Sequence, residues 1–281
     1  MILQVPFRAA LGVTVALLAS AISIEAKAQD ASPWSKDTHS AVRLLAGSRS
    51  GAVLLGGIAI QLEPDWKTYW RTPGDSGVPP RFDFSKSDNV EAVTVLWPAP
   101  RQFPDGAGGH SLGYKNQVVL PLRIVAKNAD KPVTLHATID YAVCAKLCIP
   151  VQASAELPFT SVASTEDGAL AAALDTVPKP ARIGDPNPLT IRDVRREGTS
   201  RVTVDVATQN AEDDVHLFVE GPTPDWALPI PTPRDGAPAG VKRFSFELDG
   251  LPPNTSPEGA ALKLTLVGGE RAYEFNINLN R

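Results

Sequence analysis

The sequence predicts an all-β protein of two β-rich units, the first of which carries a close pair of cysteines. Three observations lead there. The 281 residues include 26 prolines and 21 glycines but one methionine, and short apolar runs between frequent turns are the texture of strands rather than helices. Residues 133–141 alternate strictly: Val133, Leu135, Ala137, Ile139 and Tyr141 on one face, Thr134, His136, Thr138 and Asp140 on the other. That period of two marks a half-buried strand in an antiparallel sandwich. Third, an Ala-rich and then Pro-rich stretch over 164–188 separates two sets of strand-like runs, as a linker would.

The N-terminus reads as an export signal. Arg8 precedes an uncharged, mostly apolar run over 9–24, followed by Ala26-Lys27-Ala28, the order of a secretory signal peptide cleaved after Ala28. The run is shorter than the about 20 residues a bilayer span needs. Net charge is 27 − 31 = −4. Removing Arg8, Lys27 and Glu25 makes it 25 − 30 = −5. A mildly acidic chain without a basic cluster has no electrostatic footprint for nucleic acid. The expected compartment is the periplasm, an oxidising space where disulfides persist.

Residues 29–40 are polar and read as a flexible leader. A first unit over 41–163 opens with strand-like text at 41–46 and 52–62, followed by Trp66-Lys67-Thr68-Tyr69-Trp70. Three large aromatics in five residues suit a core, with the wall of a site as the sharper alternative, since buried Tyr and Trp need polar partners. Gly74-Asp75-Ser76-Gly77 looks like the nucleophile segment of a chymotrypsin-type protease, but only His39 precedes it. A triad is recognised by partners and geometry, so the string reads as a turn capped by its own side chains. Further strands are expected at 81–84, 92–97 and 118–125. Between them, 103–113 holds four glycines in eleven residues, either a hairpin loop or a lid over a site. His136 reads as a surface or cross-strand histidine. The second unit, 189–281, has strands at 201–208, 214–220, 242–248, 261–267 and 271–279, no cysteine, and reads as scaffold or docking surface.

Chemistry centres on Tyr141-Ala142-Val143-Cys144-Ala145-Lys146-Leu147-Cys148-Ile149-Pro150, which holds the only two cysteines. A return strand is expected at 153–159, which puts the pair at or near a hairpin tip. A disulfide needs Cα atoms roughly 4.4–6.8 Å apart, reachable there. As a staple such a bridge is inefficient: closing a loop of about five residues is worth about 2 kcal/mol, against nearly 5 for 100 residues. At an exposed tip it can instead be reached by a partner thiolate. Lys146 could stabilise a thiolate, although a lysine in a turn is ordinarily just solvated. A metal site would want more ligands than the sequence brings near, although His110 could arrive from the glycine loop. Redox exchange, an inert structural disulfide and copper handling remain open on the residues alone.

Three segments carry a family resemblance: Asp65-Trp66-Lys67-Thr68-Tyr69 with the following TPGDSGVPPRFDFS, the stretch LGYKNQVVLPL over 112–122, and YAVCAKLCIP. Together they resemble the N-terminal periplasmic (alpha) domain of DsbD-type thiol:disulfide interchange proteins, especially the ScsB-like branch, over about residues 41–160. The resemblance implies an immunoglobulin-like β-sandwich with Cys144 and Cys148 as its catalytic, disulfide-forming pair and Cys148 as the sulfur that forms mixed disulfides. It implies a cap loop on 103–113, with Phe103 or Leu112 standing in for the family's shielding aromatic, and Tyr69, Asp105, His110 and Tyr114 as site neighbours. It also implies a protein-disulfide reductase or interchange component without cofactor or metal, whose partners are a thioredoxin-like periplasmic protein and a membrane electron donor. Three residues separate the cysteines here, where better-known members have five. Because the sequence ends at Arg281 without a membrane or thioredoxin-like domain, a stand-alone form with a separate membrane electron-transfer protein is expected.

Overall fold

A computed structural model describes residues 29–209 and 214–279; the expected signal peptide, 1–28, lies outside the described residues. In chain order the strands are β1 (Ser35–Lys36), β2 (Ser40–Ala46), β3 (Val53–Leu62), β4 (Lys67–Gly74), β5 (Arg81–Asp83) and β6 (Val90–Val95). Next come β7 (Arg101–Pro104), β8 (His110–Lys115), β9 (Gln117–Ala126), β10 (Val133–Cys144) and β11 (Cys148–Phe159). Helix α1 (Asp167–Asp175) leads to β12 (Lys179–Ala181), β13 (Leu189–Glu197), β14 (Arg201–Thr208) and β15 (Val215–Glu220). The chain continues through β16 (Thr232–Arg234), β17 (Val241–Glu247), β18 (Ala261–Gly268) and β19 (Arg271–Asn278).

The first unit is an immunoglobulin-like sandwich of two antiparallel sheets, ordered β1-β2-β3-β9-β6 and β11-β10-β4-β8-β7, with β5 beside β10. Alternation builds its core. Val133, Leu135, Ala137, Ile139 and Tyr141 are all buried, in one core cluster with Ile58 and Leu122 of the facing sheet and Trp70 and Phe159 of their own. The intervening His136 pairs across the hairpin with Glu156 at 2.9 Å. The second unit repeats the principle with sheets β12-β19-β18-β15 and β13-β14-β17-β16 around Ile191, Val204, Phe246, Leu264 and Phe275. On its flank Asp205 accepts hydrogen bonds from Arg243 and Arg195, which hold its carboxyl at about 2. β13, whose second half is charged apart from Val194, is a strand that the apolar pattern did not predict.

Two segments differ from expectation. The leader 29–40 is fastened: β1 pairs with β2, the Ser32 hydroxyl accepts the Leu44 N–H at 2.9 Å, and the Asp30 carboxylate accepts from Thr165 N at 2.8 Å and from Ser161 Oγ. Short polar side chains there satisfy backbone groups that an edge would leave unpaired. The stretch 164–188 is likewise packed. Leu170 of α1 is fully buried against Leu45 and Ala59, Asp167 accepts the Ser48 N–H, and β12 joins β19 in parallel.

The two units meet along β4. Trp70 lies 6.0 Å from Phe218, ring to ring, and the Arg71 guanidinium stands over the Trp70 ring. Arg71 binds Glu220 through Nε at 2.8 Å and Nη2 at 2.7 Å, and Glu274 through Nη2 at 2.8 Å. A planar fork of donors suits such bidentate carboxylate binding.

Candidate functional site: a disulfide at a hairpin tip

β10 and β11 form an unbroken antiparallel ladder whose last pair is Cys144 opposite Cys148. The turn is only Ala145, Lys146 and Leu147, closed by Ala145 N–H donating to Leu147 O. The return strand therefore starts at Cys148 itself, earlier than the expected 153. The two sulfurs are bonded. Their surroundings differ sharply: Cys144 is 1% exposed, whereas Cys148 is solvent-exposed, beside Leu147 at 77%. Lys146 is exposed in the turn.

The end of β10 also pairs with β4, Val143 opposite Thr68 and Cys144 opposite Lys67. Alternation along β4 divides the aromatic cluster. Trp70 enters the core, while Tyr69 packs with Ala142 and Cys144 on the outer face. Trp66 stacks on His39. The Tyr69 hydroxyl donates to Cys144 Sγ at 2.8 Å and lies 3.2 Å from Cys148 Sγ. Burial, and then the nearby Asp105 carboxylate, push the Tyr69 phenol above its usual range, so it stays a proton donor at neutral pH.

The GDSG string packs over this tyrosine. A Cβ on Gly77 would sit 2.4 Å from the Tyr69 ring, and Gly77 has φ +131°, a conformation open to glycine. Asp75 does not cap its own turn, as the sequence suggested. Its N–H donates to His110 O at 2.9 Å and its carboxylate accepts the His110 N–H at 2.8 Å. That reciprocal pair ties the loop to the β7–β8 hairpin.

In that hairpin Asp105 accepts the N–H groups of Ala107 at 2.8 Å and Gly109 at 2.9 Å, which hold its carboxyl below the usual range. Gly106 and Gly108 at the apex have open space around them, and Cys148 is exposed. Phe103 presents its ring to the ammonium groups of Lys115 and Lys67, 5.0 and 6.0 Å from the centroid. Leu112 and Tyr114 lie on the opposite face of β8, in the sandwich core, and the Tyr114 hydroxyl donates to Pro98 O at 2.8 Å. Of the residues named from sequence, Tyr69 contacts the sulfurs and Asp105 acts on Tyr69. His110 anchors the neighbouring loop, Phe103 flanks, and Leu112 and Tyr114 point away. Gly77, Lys67 and Ser111 had no signal, because only pairing across strands brings them here. Among the described residues no group of three or more His, Cys, Asp or Glu side chains is placed to hold a metal.

Residues 41–160 match the family model for the N-terminal region of the thiol:disulfide interchange protein DsbD. That segment is a DsbD N-terminal domain. The fold is also similar to the crystal structure of the N-terminal periplasmic domain of ScsB from Proteus mirabilis, with a TM-score of 0.69 and 23% identity. That likeness covers 90% of this chain and 99% of the other, so both β units take part in it. No curated protein gives a significant match. The DsbD-type assignment makes the Cys144–Cys148 hairpin part of a thiol:disulfide interchange module.

Proposed function

We propose that this protein works in the periplasm, exported through a signal peptide cleaved after Ala28, and passes reducing equivalents between a membrane electron-transfer protein and thioredoxin-like proteins through Cys144 and Cys148. Domains of this kind are periplasmic, and among the described residues no helix is long and apolar enough to cross a membrane. The observation that carries the reading is the asymmetry of the pair. Cys148 stands exposed at a hairpin tip while Cys144 is buried against the Tyr69 hydroxyl. Exchange requires a thiolate to reach one sulfur in line with the bond it breaks.

In the reaction, a partner thiolate attacks Cys148 Sγ. A partner–Cys148 S–S bond forms, the Cys144–Cys148 bond breaks, and its electron pair leaves on Cys144 Sγ, which accepts the Tyr69 hydrogen bond. A second partner thiolate then attacks the partner's own sulfur in the mixed disulfide and releases Cys148 as a thiolate. The partner ends as a disulfide and this protein as a dithiol; the reverse sequence delivers the same two electrons onward. The GDSG loop packs over the Tyr69 ring, and the Asp105 carboxylate adds to the upward push on its phenol.

The test is a trap. In Cys144→Ser, Cys148 is expected to hold a thioredoxin-fold protein from periplasmic extract in a mixed disulfide released by dithiothreitol. The Cys144→Ser/Cys148→Ser double variant should hold none. Absence of capture, together with a wild-type reduction potential well below about −300 mV, would identify a structural bridge instead.

A further inference from the structure

Lys67 is placed where the sulfurs change charge. It is directly opposite Cys144 across the β4–β10 ladder, and residues directly opposite in an antiparallel pair project from the same face. It is half-buried. Its ammonium donates to the fully buried Ser111 hydroxyl at 2.7 Å, so among the described residues its hydrogen-bond partner is neutral. The groups facing it are the Phe103 ring, a second cation, Lys115, and, farther off, Asp105. Burial first, and then repulsion from Lys115, weaken its hold on the proton, and Asp105 opposes them. A partly buried charge is ordinarily matched by a contacting counter-charge. Among the described residues none is in contact, although the Asp105 carboxylate is close enough to act on it and is occupied by backbone N–H groups.

We propose that Lys67 is the counter-cation of the Cys144 thiolate, the charge that appears on this face when the disulfide is reduced. The proposal rests on Cys144 being the sulfur that leaves, as in the exchange reaction above. The electron pair released from the S–S bond comes to rest on Cys144 Sγ, buried and short of solvent. A thiolate there receives one hydrogen bond from Tyr69 and the field of the Lys67 ammonium across the ladder. An opposite charge nearby favours the ionised form, and a more stable leaving thiolate leaves faster. Lys67 thus acts on Cys144 through charge and not by touching the partner, while Ser111 of β8 and the Phe103 ring of β7, on the other side of β4 from β10, fix where the ammonium sits. Lys146, closer in sequence, is solvated in the turn and does not fill this role.

The experiment isolates Cys144 in a Cys148→Ser background and titrates thiolate absorbance near 240 nm, with Lys67 as wild type, Met, Gln or Arg. Lys67→Met and Lys67→Gln are expected to move the midpoint upward by one unit or more, about a tenfold loss of thiolate at a pH below both midpoints. Lys67→Arg, which keeps the charge, should restore most of it. Thermal melts confirm that each variant is folded, and Gln serves if Met fails to fold. A midpoint unchanged in the neutral variants, or moved equally by Arg, overturns the assignment. The titration needs no exchange partner. Failure to trap a partner with an intact Lys67 effect would therefore refute the exchange role alone, and a trapped partner with no Lys67 effect would refute the counter-cation alone.

Discussion

Replacing Tyr69 with phenylalanine removes one atom from the site and leaves the ring beneath Gly77. In the oxidised protein the hydroxyl faces two bonded sulfurs at 2.8 and 3.2 Å, both weak acceptors, so its loss costs that state little. In the reduced protein one acceptor is a thiolate, and a hydrogen bond to a charged group is worth about 1.5–3 kcal/mol. The substitution therefore destabilises the dithiol form selectively. For a two-electron couple about 1.4 kcal/mol corresponds to 30 mV, so the reduction potential should fall by about 30–60 mV. The assay equilibrates wild type and Tyr69→Phe in graded dithiothreitol buffers at pH 7, quenches by alkylation and counts modified thiols by mass. Melting curves check that the sandwich is intact. A potential that stays in place, or rises, would show that the hydroxyl does not discriminate between the oxidation states.

Two further outcomes test the surroundings. Gly77→Ala puts a Cβ into the Tyr69 ring at a backbone angle suited to glycine; the loop or the tyrosine must shift, and reduced Cys144 should be alkylated faster than in wild type, whereas an unchanged rate would mean that the GDSG loop does not shield the site. In the second β unit, Asp205 is held at about 2 by Arg243 and then Arg195, below its ordinary 3.8. A lowered folded-state value contributes stability that is present above the ordinary value and lost as pH falls through the folded one, so urea midpoints should drop between about pH 4 and 2 in wild type and less in Asp205→Asn. Parallel profiles would contradict that linkage.

The sequence determined a good deal of this protein because much of its structure is local. Alternation from Val133 to Tyr141 settles which face of β10 is buried, since a strand has a period of two whatever it pairs with. Two cysteines separated by three residues at the end of that strand can close only a tight turn, and the hairpin obeys. The motifs over 41–160 sufficed to identify the DsbD N-terminal domain. What the sequence left undecided depends on pairing between distant strands. β13 carries charges because its outer face is wet, so hydropathy passes over it. The polar residues 29–40 look loose because the partners that fasten them, Ser161 and Thr165, are more than a hundred positions away. The same holds at the site. Leu112 and Tyr114 sit close in sequence to the glycine loop, yet the pleat turns them into the core. Tyr69, Gly77 and Lys67, from 67 to 77 positions before Cys144, come to the pair's surroundings only because β4 lies beside β10. Local spacing made the disulfide possible. The ladder between β4 and β10 decided which sulfur is buried, which is reachable, and which charged and hydroxyl groups surround the one that leaves.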